Sequence, residues 1–318
     1  MFQKFRWPFV AALVLLCAAY SWPTVPGTAW FPFKWYGEQV DGKYFDKLAI
    51  CLPVRVQELR GNFIAQFDLG SDATLLYEET LKNYFPSHRQ LYALLDTTQR
   101  GTTDSGNHNY VTRGLPLHLG TLLIAHPRLL AGQGEVVSPD SLYSSSEKLV
   151  GTVGGDFLKN KVLVIDFPGR RMAVLDSVDA TWRARTTFVT ARVRNSRFQI
   201  PLTINKRTYW ALFDTGSSLF AFNTDLATWR GLVGHPAATD SLHVNSWGKP
   251  VAFYGAPLRD EAYLGRTKLP RATAWYTRDA RTLAFLKAEH IDAITGNAFF
   301  FHNTVVLDFQ HGRFGVVK

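Results

Sequence analysis

Apolar residues fall in short runs separated by turn residues, and the same series of runs occurs twice. Leu52-Pro53-Val54-Arg55-Val56 leads to Phe63-Ile64-Ala65-Gln66-Phe67, and Ile200-Pro201-Leu202-Thr203-Ile204 leads to Tyr209-Trp210-Ala211-Leu212-Phe213. Short runs of this kind, bounded by Gly, Asn or polar residues, predict strands, and each pair predicts a hairpin. Each hairpin delivers a Phe-Asp pair into a glycine turn: Asp68-Leu69-Gly70-Ser71 in the first copy, Asp214-Thr215-Gly216-Ser217-Ser218 in the second. Leu119-Gly120 and Leu264-Gly265 follow in order, each with a Pro-Arg pair shortly after (Pro127-Arg128, Pro270-Arg271).

The last copy is the clearest. Residues 154–174 align without a gap on 296–316, with Gly154/Gly296, Phe157/Phe299, Val164/Val306, Asp166/Asp308, Phe167/Phe309, Arg171/Arg313 and Val174/Val316 identical. Chance on composition alone gives about one or two identities over such a window, so the chain is an internal duplication. Val162-Leu163-Val164-Ile165 and Thr304-Val305-Val306-Leu307 read as buried strands, and Asp166 and Asp308 as turn residues bonded to nearby backbone. Helical periodicity is confined to 77–84 and 279–290.

This organisation predicts an N-terminal segment 1–21, an extended arm 22–46, a first lobe 47–178, a connector 179–185 and a second lobe 186–318. Residues 101–109 and 132–147 read as polar loops. Ser145-Ser146-Glu147-Lys148 matches S-x-x-K only formally and reads as part of such a loop.

Composition fits this picture. The 318 residues are 46% hydrophobic and 19% charged, with 15 Pro and 24 Gly spread among the apolar runs, which favours strands and turns over long helices. The net charge is +9, but no run of Lys or Arg exceeds two residues, so no basic stripe points to nucleic acid. The charge reads as a solvated surface that favours anionic surroundings such as a membrane face.

At the N-terminus Lys4 and Arg6 precede an uncharged, mostly apolar stretch, and Ala19-Tyr20-Ser21 offers small residues for cleavage. This predicts export to a periplasmic, surface or extracellular location, with an uncleaved anchor at 7–22 as the alternative. The same segment allows peripheral or N-terminal membrane association; the aromatic stretch Trp30-Phe31-Pro32-Phe33-Lys34-Trp35-Tyr36 also suits a membrane boundary, but reads rather as an extended arm packed along the body. If the leader carrying Cys17 is removed, Cys51 is the only remaining cysteine and no intramolecular disulfide can form.

The nine His show no H-E-x-x-H or paired ligand spacing, and neither G-x-G-x-x-G nor G-x-S-x-G occurs, so no metal and no cofactor is expected. The two Asp-x-Gly-Ser elements, each followed by an apolar-Gly element (Val153-Gly154, Ile294-Thr295-Gly296), resemble the pepsin-type aspartic peptidases from about residue 48 to the end. The resemblance implies an all-β fold of two homologous barrel-like lobes facing across a cleft. It further implies a monomeric endopeptidase acting on polypeptide, with a water activated between Asp68 and Asp214.

By the same resemblance Gly70 and Gly216 supply backbone donors to the carboxylates, and Ser71 and Ser217 bond their outer oxygens. Thr215 reaches across the lobe interface, and Tyr110 is the candidate flap tyrosine. Leu69 stands where the family has Thr or Ser, which removes half of a reciprocal hydroxyl bridge. The alternative reading is therefore a catalytically impaired protein that uses the same scaffold to bind peptides or proteins.

Overall fold

The computed structural model describes residues 28–103, 106–234, 237–246 and 248–318; the expected signal segment 1–21 and the alternative anchor 7–22 lie outside the described residues. Among the described residues, one six-stranded and two ten-stranded sheets form, with only short helices between them. No helix among them is long and apolar enough to cross a membrane.

The duplication extends to every strand of the two large sheets. In the first lobe, neighbouring strands run Leu95–Thr102, His108–Thr112, Arg128–Leu130, Leu75–Tyr77, Lys148–Val153, Phe63–Phe67, Lys43–Val56, Leu117–Leu119, Leu122–Ile124. The second lobe repeats that order with Asp240–Ser246, Lys249–Pro257, Thr273–Thr277, Phe222–Thr224, Ala293–Thr295, Arg207–Phe213, Arg197–Ile204, Ala262–Leu264, Thr267–Lys268. Each lobe adds one more antiparallel strand in the same place: Lys34–Val40 on Lys43–Val56, and Arg192–Arg194 on Arg197–Ile204.

The six-stranded sheet joins the lobes. Its central strands Val162–Asp166 and Thr304–Asp308 pair antiparallel with Val164 opposite Val306. These valines are equivalent positions of the repeat, so a pseudo-two-fold axis passes between them. Both strands are buried on both faces, which is why each reads as a continuous apolar run instead of an alternating one. Asp166 accepts the Gly169 N–H at 3.0 Å and pairs with Arg171, while Asp308 accepts the His311 N–H at 3.0 Å and pairs with Arg313. Both are turn-forming carboxylates, as the sequence suggested.

Of the expected arm, Trp30–Pro32 edges the six-stranded sheet against Arg171–Leu175, and the rest folds back as a hairpin whose second strand, Lys43–Val56, runs on into the first lobe. Its tip reaches the second lobe: Val40 and Phe45 pack with Phe220, Leu242, Phe253 and Trp275, and Asp41 accepts the His243 N–H at 2.7 Å. The connector contains the helix Ala180–Arg185, capped by Asp179.

The two expected helices form as Glu78–Leu81 with the 3-10 turn Lys82–Tyr84, and as Ala280–Glu289, capped by Asp279 and ended by His290 in a left-handed conformation. His88–Tyr92 and Leu226–Leu232 are too short to show a period in sequence. Cys51 is buried and free, and burial pushes its thiol up to about 11.

Candidate active site

Each aspartate sits where a strand leaves its parallel neighbour. Asp68 follows Phe63–Phe67, and its N–H donates to the Val153 carbonyl at 3.0 Å; Asp214 follows Arg207–Phe213, and its N–H donates to the Thr295 carbonyl at 2.9 Å. The loops then cross the pseudo-two-fold axis. A Cβ on Gly70 would lie 2.7 Å from Cγ of Asp214, and one on Gly216 would lie 2.6 Å from Cγ of Asp68. Each glycine is thus the space that the opposite carboxyl group occupies. The two carboxyl groups lie within interaction reach of each other, and Asp68 is buried while Asp214 is half-buried.

The supports of the pair differ between the lobes. Asp68 Oδ1 accepts the N–H groups of Gly70 at 2.8 Å and Ser71 at 3.2 Å. Asp214 accepts the Gly216 N–H on Oδ1 and the Ser217 hydroxyl on Oδ2, both at 2.8 Å. Ser71 therefore departs from the expected role: its hydroxyl donates to the Ala73 carbonyl at 2.7 Å, so its single proton is engaged there and its contact with Asp68 is through backbone.

Behind the second loop, Asn297 donates to the Thr215 carbonyl at 3.1 Å and to the Ser218 hydroxyl at 2.6 Å. Its repeat counterpart, Gly155, has no side chain to do the same.

Thr215 reaches across the interface. Its Oγ1 accepts the Leu69 N–H and donates to the Phe67 carbonyl, each at 2.9 Å. Leu69 returns nothing; its side chain is fully buried in the core. Thr215→Val keeps the shape but strands a buried N–H and a buried carbonyl, and is expected to lower stability by roughly 1–3 kcal/mol. A urea titration of the two proteins checks this, and coincident midpoints would refute it.

Burial holds the Asp68 carboxyl well above its ordinary range, and the neighbouring charge and hydrogen bond of Asp214 push the same way. The stability consequence follows in sign. Above pH 3.8 the unfolded chain releases this proton while the folded chain keeps it, so stability falls with rising pH until the raised value is passed. Asp68→Asn mimics the protonated acid and is expected to lose none of that stability. Urea midpoints at acidic and neutral pH should show the variant gaining on the native chain as pH rises, and parallel curves would contradict this.

Tyr110 lies on His108–Thr112, half-buried, its ring 6.2 Å from that of Tyr92, and none of its described contacts reaches either aspartate. A residue that sequence reasoning passed over stands nearer. Tyr77 bonds the Thr152 hydroxyl at 2.5 Å and is close enough to feel the Asp68 charge, and burial pushes it up to about 12. Its only sequence signal is its place at the end of the strand after the first glycine turn. Among the described residues no cluster of three or more His, Cys, Asp or Glu could hold a metal ion.

The chain is similar in structure to the aspartic proteinase from Irpex lacteus, with a TM-score of 0.50 and 14% identity, over 92% of this chain and 97% of that one. No protein-family model and no curated protein matches the sequence. The architecture is the mostly β, bilobal pepsin-like fold, with two aspartates facing each other across its pseudo-two-fold axis.

Proposed function

We propose that the chain is an exported aspartic endopeptidase that hydrolyses peptide bonds with a water held between Asp68 and Asp214. The observation that carries this reading is the meeting of the two carboxyl groups, each seated in the glycine turn of the opposite lobe. Two carboxyl groups in contact, one of them buried, cannot both ionise comfortably, so they share a proton. Burial favours the proton on Asp68, which then bonds the scissile carbonyl oxygen. Asp214, oriented by Ser217, takes a proton from the water as its oxygen attacks the carbonyl carbon. Transfer of that proton to the departing amine breaks the C–N bond and leaves a carboxyl and an amino terminus, with no covalent intermediate.

Both aspartates come from one chain, so a monomer suffices, and neither metal nor cofactor enters the step. Export is read from the N-terminal segment alone. Purified protein incubated with an unfolded polypeptide is expected to release peptides at acidic pH, with the rate fading as the pair loses its shared proton. No cleavage at any pH would refute the enzyme reading in favour of the binding module that Leu69 also suits.

A further inference from the structure

The two aspartate loops are unequally tied to the opposite lobe. Thr215 bridges to the first loop, and Leu69 has no hydroxyl with which to bridge back. At that same deficient loop a second cross-lobe tie occurs. Arg197 opens the strand Arg197–Ile204 of the second lobe, yet its Nε donates to the Gly70 carbonyl at 2.7 Å and its Nη2 lies 3.5 Å from Asp72. Nη1 donates to Glu289 at 3.1 Å, and the guanidinium lies 5.3 Å from the Phe285 ring centre, both on Ala280–Glu289. Other charged groups facing this cluster include Arg194, 3.9 Å from Glu289, and Arg128, which is close enough to feel the charge of Asp72. The side chain of Arg197 is only 14% exposed, so its fork is held by packing as well as by charge.

The turn that precedes Arg197 is docked too. Asn195 and Ser196 both have left-handed backbone, with φ of 48° and 59°, and the Ser196 carbonyl lies 2.3 Å from where a Cβ on Gly155 would stand. The first lobe therefore receives this turn at a position that only glycine leaves open.

The repeat supplies the control. Phe198 pairs with Phe213, and the register of Cys51 with Gln66 places Ile50 opposite Phe67, so the first-lobe counterpart of Arg197 is Ala49. Alanine has no side-chain donor, so among the described residues the Asp214 loop receives no equivalent clamp from this position. The clamp is present on the loop that lacks its hydroxyl and absent on the loop that keeps it.

We infer that Arg197 is a positioning residue, holding the Asp68 loop in register with Asp214 in place of the hydroxyl that Leu69 does not supply. The inference rests on the dyad being a hydrolytic centre. Arg197→Met is expected to lower kcat roughly a hundredfold, as a misplacement of about 1 Å in a reacting group does. KM should stay within about threefold, because no substrate contact is removed. The acidic limb of the pH profile should move, and Arg197→Lys, which keeps one donor for the Gly70 carbonyl, should recover part of the loss.

Introducing Leu69→Thr alongside Arg197→Met should shrink the loss below the product of the single effects, a coupling that a purely structural arginine would not show. Native kcat and pH profile in Arg197→Met, or strictly multiplicative effects in the double variant, would overturn the inference. If the native chain cleaves nothing, the functional reading fails by itself. Carboxyl-carbon NMR titration of Asp68 and Asp214 in folded native and Arg197→Met proteins then decides the positioning role. A changed pair of titrations supports it, and identical ones refute it.

Discussion

Asp214→Asn is expected to abolish peptide hydrolysis while leaving the fold intact. The amide is nearly isosteric with the carboxylate and can still accept the Gly216 N–H, and the Ser217 hydroxyl can turn to accept from the new NH2 group. What the amide cannot do is take a proton from water. Removing the base of a concerted centre costs about four orders of magnitude in kcat/KM or more, because the remaining groups act only as part of the unit. The variant also relieves the crowding of two carboxyl groups, so its urea midpoint should equal or exceed that of the native chain. Initial rates on an unfolded substrate at acidic pH, measured beside those midpoints, separate lost chemistry from lost folding. Cleavage at the native rate would remove Asp214 from the mechanism.

Gly296→Ala should have the largest effect on stability. A Cβ there would lie 1.8 Å from the Ser217 carbonyl oxygen and 2.6 Å from its carbon. These are backbone atoms of the aspartate loop and cannot rotate away like the end of a side chain. The Ser217 carbonyl already accepts the Phe220 N–H at 3.0 Å, and the Gly296 N–H donates to the Phe220 carbonyl at 2.7 Å, so displacement breaks a closed set of bonds. A loss of about 3 kcal/mol or more is expected, at the upper end for overpacking. The Ser217 hydroxyl that donates to Asp214 moves with the loop, so activity should fall as well. Gly154→Ala, the repeat counterpart, meets the Ala73 carbonyl oxygen at 2.5 Å and should be milder. Urea midpoints of the three proteins test the order, and a native-like Gly296→Ala would refute the close packing.

Much of this fold is legible in the sequence because it is written locally and written twice. Strands such as Phe63–Phe67 and Arg207–Phe213 announce themselves by apolar runs ending at glycine turns, and Asp279 and His290 bracket the longest helix among the described residues. Short elements escape for the converse reason. His88–Tyr92 and Leu226–Leu232 are a turn or two long, and caps alone do not distinguish them from loops. The arm was legible as extended chain, but not as a hairpin whose tip crosses to Phe220 and Trp275, because that contact joins residues far apart in sequence.

The candidate site divides the same way. Asp68, Gly70, Thr215, Gly216 and Ser217 are visible as two copies of one motif. Where the copies differ, sequence alone misdirects: Ser71 stands where Ser217 does, yet its hydroxyl turns to the Ala73 carbonyl. Tyr110 lies at a plausible distance along the chain, but its ring faces Tyr92. By itself the sequence determined that two similar lobes each end a strand on an aspartate at a glycine turn, since duplication and turn chemistry are local properties. Tertiary structure alone decided that the two carboxyl groups meet, that Leu69 fills core where a hydroxyl is expected, and that Arg197 reaches the Gly70 carbonyl. Those depend on how the pseudo-two-fold axis superimposes one lobe's edge on the other's loop, and no spacing along a single chain records that placement.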